Sequence, residues 1–248
     1  MNTVAIYHIK GGVGKTATAV NLAYLAALSG QRVLLWDLDP QAASSFYFRV
    51  KPKVKGGGKK LLHSDEGIFK AIRASDYENL DILPADFSYR KMDHQLEDKK
   101  TLKRALEPLR EAYDLILLDC PPNITYVSEN IFRACNAMII PVIPTTLSLR
   151  TLKQLTDFFL AKDMSHINLM PFFSIVDSRR RLHRDILKSL PDKIPTFLKT
   201  YIPNASEVEQ MGIRRKPLSV FANASKASKA YCYLLVEIMG RLNESPKI

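Results

Sequence analysis

The residues of this chain that could do chemistry lie in three short stretches, and the first is a cradle for phosphate. Ile9-Lys10-Gly11-Gly12-Val13-Gly14-Lys15-Thr16 follows the apolar run Val4 to Tyr7 and leads into an Ala- and Leu-rich segment. A strand, a glycine-rich loop and a helix in that order aim successive backbone N–H groups at phosphate oxygens, and the helix N-terminus adds a favourable dipole. Lys15 supplies a cation and the Thr16 hydroxyl is a Mg2+ ligand by type, with the backbone of Gly11 to Gly14 and of Ala17 completing the cradle. The second stretch, Asp114-Leu-Ile-Leu-Leu-Asp119-Cys120-Pro121-Pro122, is an aliphatic run ending in an acid. That arrangement places Asp119 where it can hold Mg2+ through water. In the third, Arg32-Val-Leu-Leu-Trp36 ends in Asp37-Leu38-Asp39-Pro40-Gln41. Acids at the C-terminal end of a parallel strand face the ligand crevice of an open sheet.

Such groups need buried strands to carry them, and the chain supplies these as apolar runs rather than alternations, the mark of parallel strands covered on both faces. Further strands are expected at Leu80–Ala85, Ala137–Pro144 and Leu169–Val176. Helical spacing is present over Thr16–Leu28, with Gly30 as a stop, and over Lys99–Tyr113, Leu149–Phe159 and Ser228–Leu242, and a helix is expected to start with Ile68–Ile72. Strands alternating with helices predict an α/β fold, a doubly wound and mostly parallel sheet flanked by helices. At 248 residues and 46% hydrophobic content, a single domain spanning 1–248 is expected. Residues 49–60 differ in kind: three adjacent glycines, unpaired basic residues and no apolar period predict a flexible, solvated basic loop.

Composition narrows the partners. Lys and Arg number 36 against 25 Asp and Glu, a formal charge of +11, which attracts polyanions through counterion release. No run approaches the roughly 18 apolar residues of a membrane span. A strand entering the phosphate loop at once leaves no room for a signal peptide. Three scattered cysteines without CxxC spacing fit a reducing compartment.

The common form of the phosphate loop has a glycine at position 9; here that residue is Ile9, and a second lysine, Lys10, opens the loop. In this the segment resembles the deviant Walker ATPases of the ParA/MinD family. Asp-Leu-Asp-Pro-Gln, Leu83-Pro84-Ala85, Asp119-Cys-Pro-Pro, the Pro-Val-Ile-Pro-Thr-Thr ending at Thr146, Ile202-Pro203 and the Ser/Lys/Ala-rich entry to the last helix extend the resemblance over most of the chain. One departure is Ala17, where a second hydroxyl usually touches the α-phosphate. The chain resembles the short class, in which no operator-binding domain of its own is expected.

The resemblance implies an ATPase with ATP and Mg2+ as cofactors and slow turnover in the absence of a partner. It assigns Asp39 to positioning the attacking water and Asp37 to the Mg2+ shell from behind. It makes Lys10 a catalytic and nucleotide-binding residue acting in trans, within a homodimer that sandwiches two ATP molecules. Pro203 marks the adenine side. Arg179, Arg180, Arg181 and Arg184, with Arg214 and Arg215, become the contacts to nonspecific double-stranded DNA. A cargo adaptor, ParB-like or equivalent, stimulates hydrolysis, and the protein is cytoplasmic and nucleoid-associated, positioning a plasmid, a chromosome or a protein organelle such as a carboxysome. The rivals are a MinD-like membrane-cycling ATPase and a metabolic enzyme of the same fold. The closing Asn-Glu-Ser-Pro-Lys-Ile is short and holds a proline, unlike the amphipathic tail of the first.

Overall fold

The apolar runs form the middle of one seven-stranded sheet in the order β3-β4-β2-β5-β1-β6-β7. The structure, a computed structural model, describes residues 1–62, 65–94, 98, 100–122, 124–190 and 194–243. The elements run β1 (Asn2–Ile6), α1 (Lys15–Leu28), β2 (Val33–Asp37), α2 (Ala43–Tyr47), α3 (Gly57–Leu62), α4 (Asp65–Ala71), β3 (Arg73–Ala74) and β4 (Leu80–Leu83). They continue α5 (Thr101–Leu106), β5 (Leu115–Asp119), α6 (Tyr126–Ala134), β6 (Ala137–Val142), α7 (Thr146–Ala161) and β7 (Asn168–Phe173). The chain closes with α8 (Arg181–Ser189), α9 (Ser206–Arg214), α10 (Leu218–Phe221) and α11 (Lys226–Asn243). Among the described residues every strand pairing is parallel except β3 with β4.

Each central strand is covered on both faces, which is why its sequence is continuously apolar. Val33, Leu35, Leu115 and Leu117 pack with Ala19 and Ala23 of α1 and with Leu234 and Ile238 of α11. Leu34, Trp36, Ile116 and Leu118 face the opposite layer, where Phe132 of α6 and Leu155 and Phe159 of α7 lie. Full burial of one such aliphatic side chain stabilises by roughly 1.5–3 kcal/mol, so the strands that carry the acids are held firmly from both faces.

Three expectations change. The helix expected over Lys99–Tyr113 is α5 alone, followed by a 3₁₀ turn at Glu107–Leu109. Pro108 has no N–H to continue the α ladder, and Lys99 lies outside the described residues. The strand expected to reach Val176 stops at Phe173, because Ile175 adopts a left-handed backbone (φ 55°) and Val176 then pairs separately with Pro203. The loop at 49–60 is tied down rather than free. Val54 is buried, its N–H donates to Asp86 Oδ2 at 2.8 Å, and helix α3 begins at Gly57. The three glycines that suggested flexibility instead let the chain turn closely over Ser88, whose Oγ accepts the Gly58 N–H at 2.9 Å. Lys51, Lys53, Lys55 and Lys60 stay exposed.

Candidate nucleotide and metal site

The strand register brings the three chemical stretches level. Ile6 pairs with Asp119, and Asp119 pairs with Asp37, so β1, β5 and β2 end in line at their carboxyl ends. The phosphate loop leaves β1 at that edge and enters α1, as the sequence predicts. Two glycines in it are obligatory. Gly12 and Gly14 have φ of 73° and 91°, and a Cβ on Gly14 would stand 2.9 Å from Ser174 Oγ, just beyond β7.

Lys15 is 8% exposed, and its Nζ donates to the Lys10 carbonyl at 3.1 Å. Burial lowers its pKa, while the negative potential of Asp119, Cys120 and Asp39 opposes that shift. Lys10 is half-buried, and its N–H donates to Nδ1 of the buried His8 at 3.0 Å. Ala17 is half-buried near the start of α1.

Asp119 and Asp37 are both buried. Asp119 Oδ2 accepts the Ser44 hydroxyl at 2.6 Å, while its Oδ1 is buried without a hydrogen-bond partner. Asp37 is more fully engaged. Its Oδ2 accepts both the N–H (2.8 Å) and the hydroxyl (2.7 Å) of Ser45, and its Oδ1 accepts the Asp39 N–H at 3.3 Å. Desolvation first, and Asp119 next, push the Asp37 carboxyl up to about 8; desolvation likewise raises Asp119. Two buried acids side by side, one with an unsatisfied oxygen, form a site that a divalent cation would relieve. Thr16, whose nearby hydroxyl lowers the Asp119 pKa, and Asp119 are therefore the residues that would hold Mg2+. Asp37 stands behind them, since both its oxygens already have donors. Among the described residues no three His, Cys, Asp or Glu side chains converge as a metal cage.

Asp39 is half-buried at the edge of the crevice, with its Oδ1 accepting the Gln41 N–H at 2.9 Å. Pro203 is half-buried on the short bridge to Val176, beside the β7 exit that abuts Gly14. Cys120 and Cys135 are buried, and burial pushes both thiols up, Cys135 to about 12.

His8, Ser44 and Ser45 belong to this site and are missed by reading the sequence. A hydroxyl pair five and six residues after Asp39 was the available signal, yet α2 is too short to show a helical period.

The basic residues fall in two separate places. Arg179, Arg180, Arg181 and Arg184 are exposed at the entry to α8. They are partly neutralised: Arg179 Nε and Nη2 bind Asp177 at 2.9 and 3.0 Å, Arg180 lies 3.8 Å from Asp177, and Arg181 lies 3.6 Å from Asp185. Arg184 donates to the Ser178 and Arg179 carbonyls. Arg214 is exposed beside the Phe221 ring. Arg215 departs from its expected role, because it is half-buried, with Nε on the Phe46 carbonyl at 2.9 Å and its guanidinium over the Phe46 ring. That side chain anchors α9 to α2.

A family model described as an AAA domain matches residues 1–168. The sporulation initiation inhibitor protein Soj of Bacillus subtilis is 32% identical over 248 residues, covering 95% of this chain and 97% of Soj. The chain belongs to the ParA/MinD family of ATPases. Solved structures agree on the fold of this ATPase. A putative plasmid partition protein from Borrelia burgdorferi, bound to AMPPNP, has a TM-score of 0.82 at 24% identity, covering 97% of this chain and 99% of that one. Cobyrinic acid a,c-diamide synthase from Mycobacterium smegmatis, bound to an ATP analog and magnesium, has a TM-score of 0.81 at 25% identity, covering 100% and 98%. A small-molecule enzyme thus shares the ATPase's fold, and fold alone does not separate the two; Soj, matched nearly end to end, carries the family assignment. No helix among the described residues of the ATPase is long and apolar enough to cross a membrane. The tail expected at Asn243–Ile248 falls outside them beyond Asn243.

Proposed function

We propose that this ParA/MinD-family ATPase is an ATP-gated switch. Two ATP-loaded copies pair face to face, the pair binds DNA without regard to sequence, and an adaptor on a cargo stimulates hydrolysis and releases it. The observation that carries the reading is the phosphate loop itself: Lys15 is buried and directed inward, while Lys10, five residues earlier, stands half-buried at the crevice.

Lys15 and the loop N–H groups bind and orient the β- and γ-phosphates, and the α1 dipole favours their charge. Thr16 and Asp119 would hold Mg2+, which would supply charge neutralisation at the phosphates. Asp39 orients the attacking water from the crevice edge. Lys10 of one copy reaches the phosphates held by the other and offsets the charge that spreads over the transferring group, electrostatic stabilisation supplied in trans. The net charge of +11 and the exposed arginines at the entry to α8 support a polyanion as partner.

The test is retention of the protein on random-sequence duplex DNA with ATP, ADP or no nucleotide. Retention with ATP alone supports the switch. Equal retention in all three states, or binding to anionic vesicles with ATP instead, would refute it.

A further inference from the structure

His8 precedes Lys10 by two residues and has no solvent exposure. Its Nδ1 accepts the Lys10 N–H at 3.0 Å, the same side-chain-to-backbone bond that Asn and Asp make two residues on in Asx turns. Because Nδ1 accepts, the proton of the neutral ring resides on Nε2. That Nε2 is buried without a hydrogen-bond partner. An apolar ring would fill the space without leaving a buried donor unmatched, so packing does not explain an imidazole here.

On its other side the Lys10 peptide is held by Lys15, whose Nζ donates to the Lys10 carbonyl. Lys15 is also the side chain that phosphate oxygens compete for. Once they engage that ammonium, His8 is the hold on Lys10 that does not depend on the phosphates. A lysine that must cross to a neighbouring subunit has a long, flexible stem, and its backbone origin decides where the ammonium can reach.

We propose that His8 is a positioning residue for Lys10: its Nδ1 fixes the Lys10 backbone so that the side chain projects from the phosphate loop toward the partner copy. This rests on the in-trans reading of Lys10 given above. The role belongs to the acceptor atom and not to the ring. An acceptor of Asx geometry at position 8 therefore supplies it, and an apolar side chain of similar size does not.

Three variants test this, His8→Leu, His8→Asn and Lys10→Ala, by steady-state ATP hydrolysis with Mg2+ and by ATP-dependent dimerisation in sedimentation. The expected result is that His8→Leu keeps KM within about threefold of the parent while kcat falls about tenfold or more, the scale on which misplacing a catalytic group acts. His8→Asn recovers most of that loss, and Lys10→Ala shows the same kcat defect as His8→Leu. If His8→Leu does not bind nucleotide, His8→Asn decides alone: kcat near the parent supports the assignment and kcat as low as Lys10→Ala overturns it. A parent-like kcat in His8→Leu beside an impaired Lys10→Ala overturns the role of His8 only. A parent-like Lys10→Ala overturns the in-trans reading, and with it the reason for holding Lys10.

Discussion

The Ser44 hydroxyl donates to Asp119 Oδ2 at 2.6 Å, joining the short helix after β2 to the acid at the end of β5. The bond occupies one carboxylate oxygen and leaves the other, Oδ1, without a hydrogen-bond partner at the mouth of the phosphate loop. Ser44 is thus placed to orient, from behind, the acid proposed to hold Mg2+. Ser44→Ala is expected to raise the Mg2+ concentration needed for half-maximal hydrolysis by about tenfold, the usual effect of losing an outer partner of a metal ligand. Nucleotide affinity measured in EDTA should not move. An unchanged Mg2+ titration would show that Ser44 only packs.

Asp39 lies at the crevice edge, with its backbone N–H on Asp37 and its carboxylate bonded to a turn N–H. Asp39→Ala should preserve ATP binding and ATP-dependent dimerisation while lowering hydrolysis by about 100-fold, the scale of losing a group that orients or deprotonates water. Loss of ATP binding, read by equilibrium fluorescence of a labelled nucleotide, would contradict the role.

Lys10→Ala is expected to leave nucleotide binding to the monomer intact, because Lys15 and the loop N–H groups remain. The ATP-dependent dimer should weaken. Analytical ultracentrifugation with and without ATP checks this, and an unaltered dimer refutes an in-trans contact.

The two arginine groups should behave differently. Arg181→Ala with Arg184→Ala is expected to weaken DNA binding by a similar factor on every sequence. The salt dependence should flatten by about one unit of slope for each phosphate no longer neutralised. Arg215→Ala should act on stability, since its guanidinium is spent on the Phe46 carbonyl and ring. Its loss is expected to lower Tm while leaving the salt slope of DNA binding in place.

His8 gives the protein a dependence on acid. Burial, then the charges of Lys15 and Lys10, lower its pKa to about 4 from an ordinary 6.5. Above pH 6.5 neither the folded nor the unfolded state carries the proton, and His8 contributes no pH dependence. As pH falls toward 4 the unfolded chain takes up a proton that the folded chain refuses. Stability is then lost by about 3 kcal/mol in all across that window. The difference in unfolding free energy between the parent and His8→Asn should therefore change between pH 7 and pH 4 by an amount of that order. A constant difference would mean that His8 is protonated in the fold.

Much of this site is legible in the one-dimensional chain. Glycine at 12 and 14, Lys15, Thr16 and the two acid-terminated strands identify a phosphate and Mg2+ cradle because backbone geometry permits few other uses for that order of strand, loop and helix. Continuous apolar runs such as Val33–Trp36 and Leu115–Leu118 foretell parallel strands because both faces of such strands are buried. Local signals end there. Which strands lie adjacent is a matter of long-range pairing, and only the order β2-β5-β1 brings Asp37, Asp119 and Ile6 into register.

The same limit explains what the sequence concealed. Ser44 meets Asp119 across 75 positions of chain, and Arg215 meets Phe46 across 169, distances at which no periodicity carries information. The glycines of 56–58 suggest freedom, yet tertiary contacts with Asp86 and Ser88 hold that segment. The chain by itself determined the chemistry available at the phosphate loop, because that depends on residue types within a few positions. Only the folded sheet decided which acid is left with an open oxygen and which arginine is tied to a neighbouring helix, because those depend on neighbours that burial and strand order bring together.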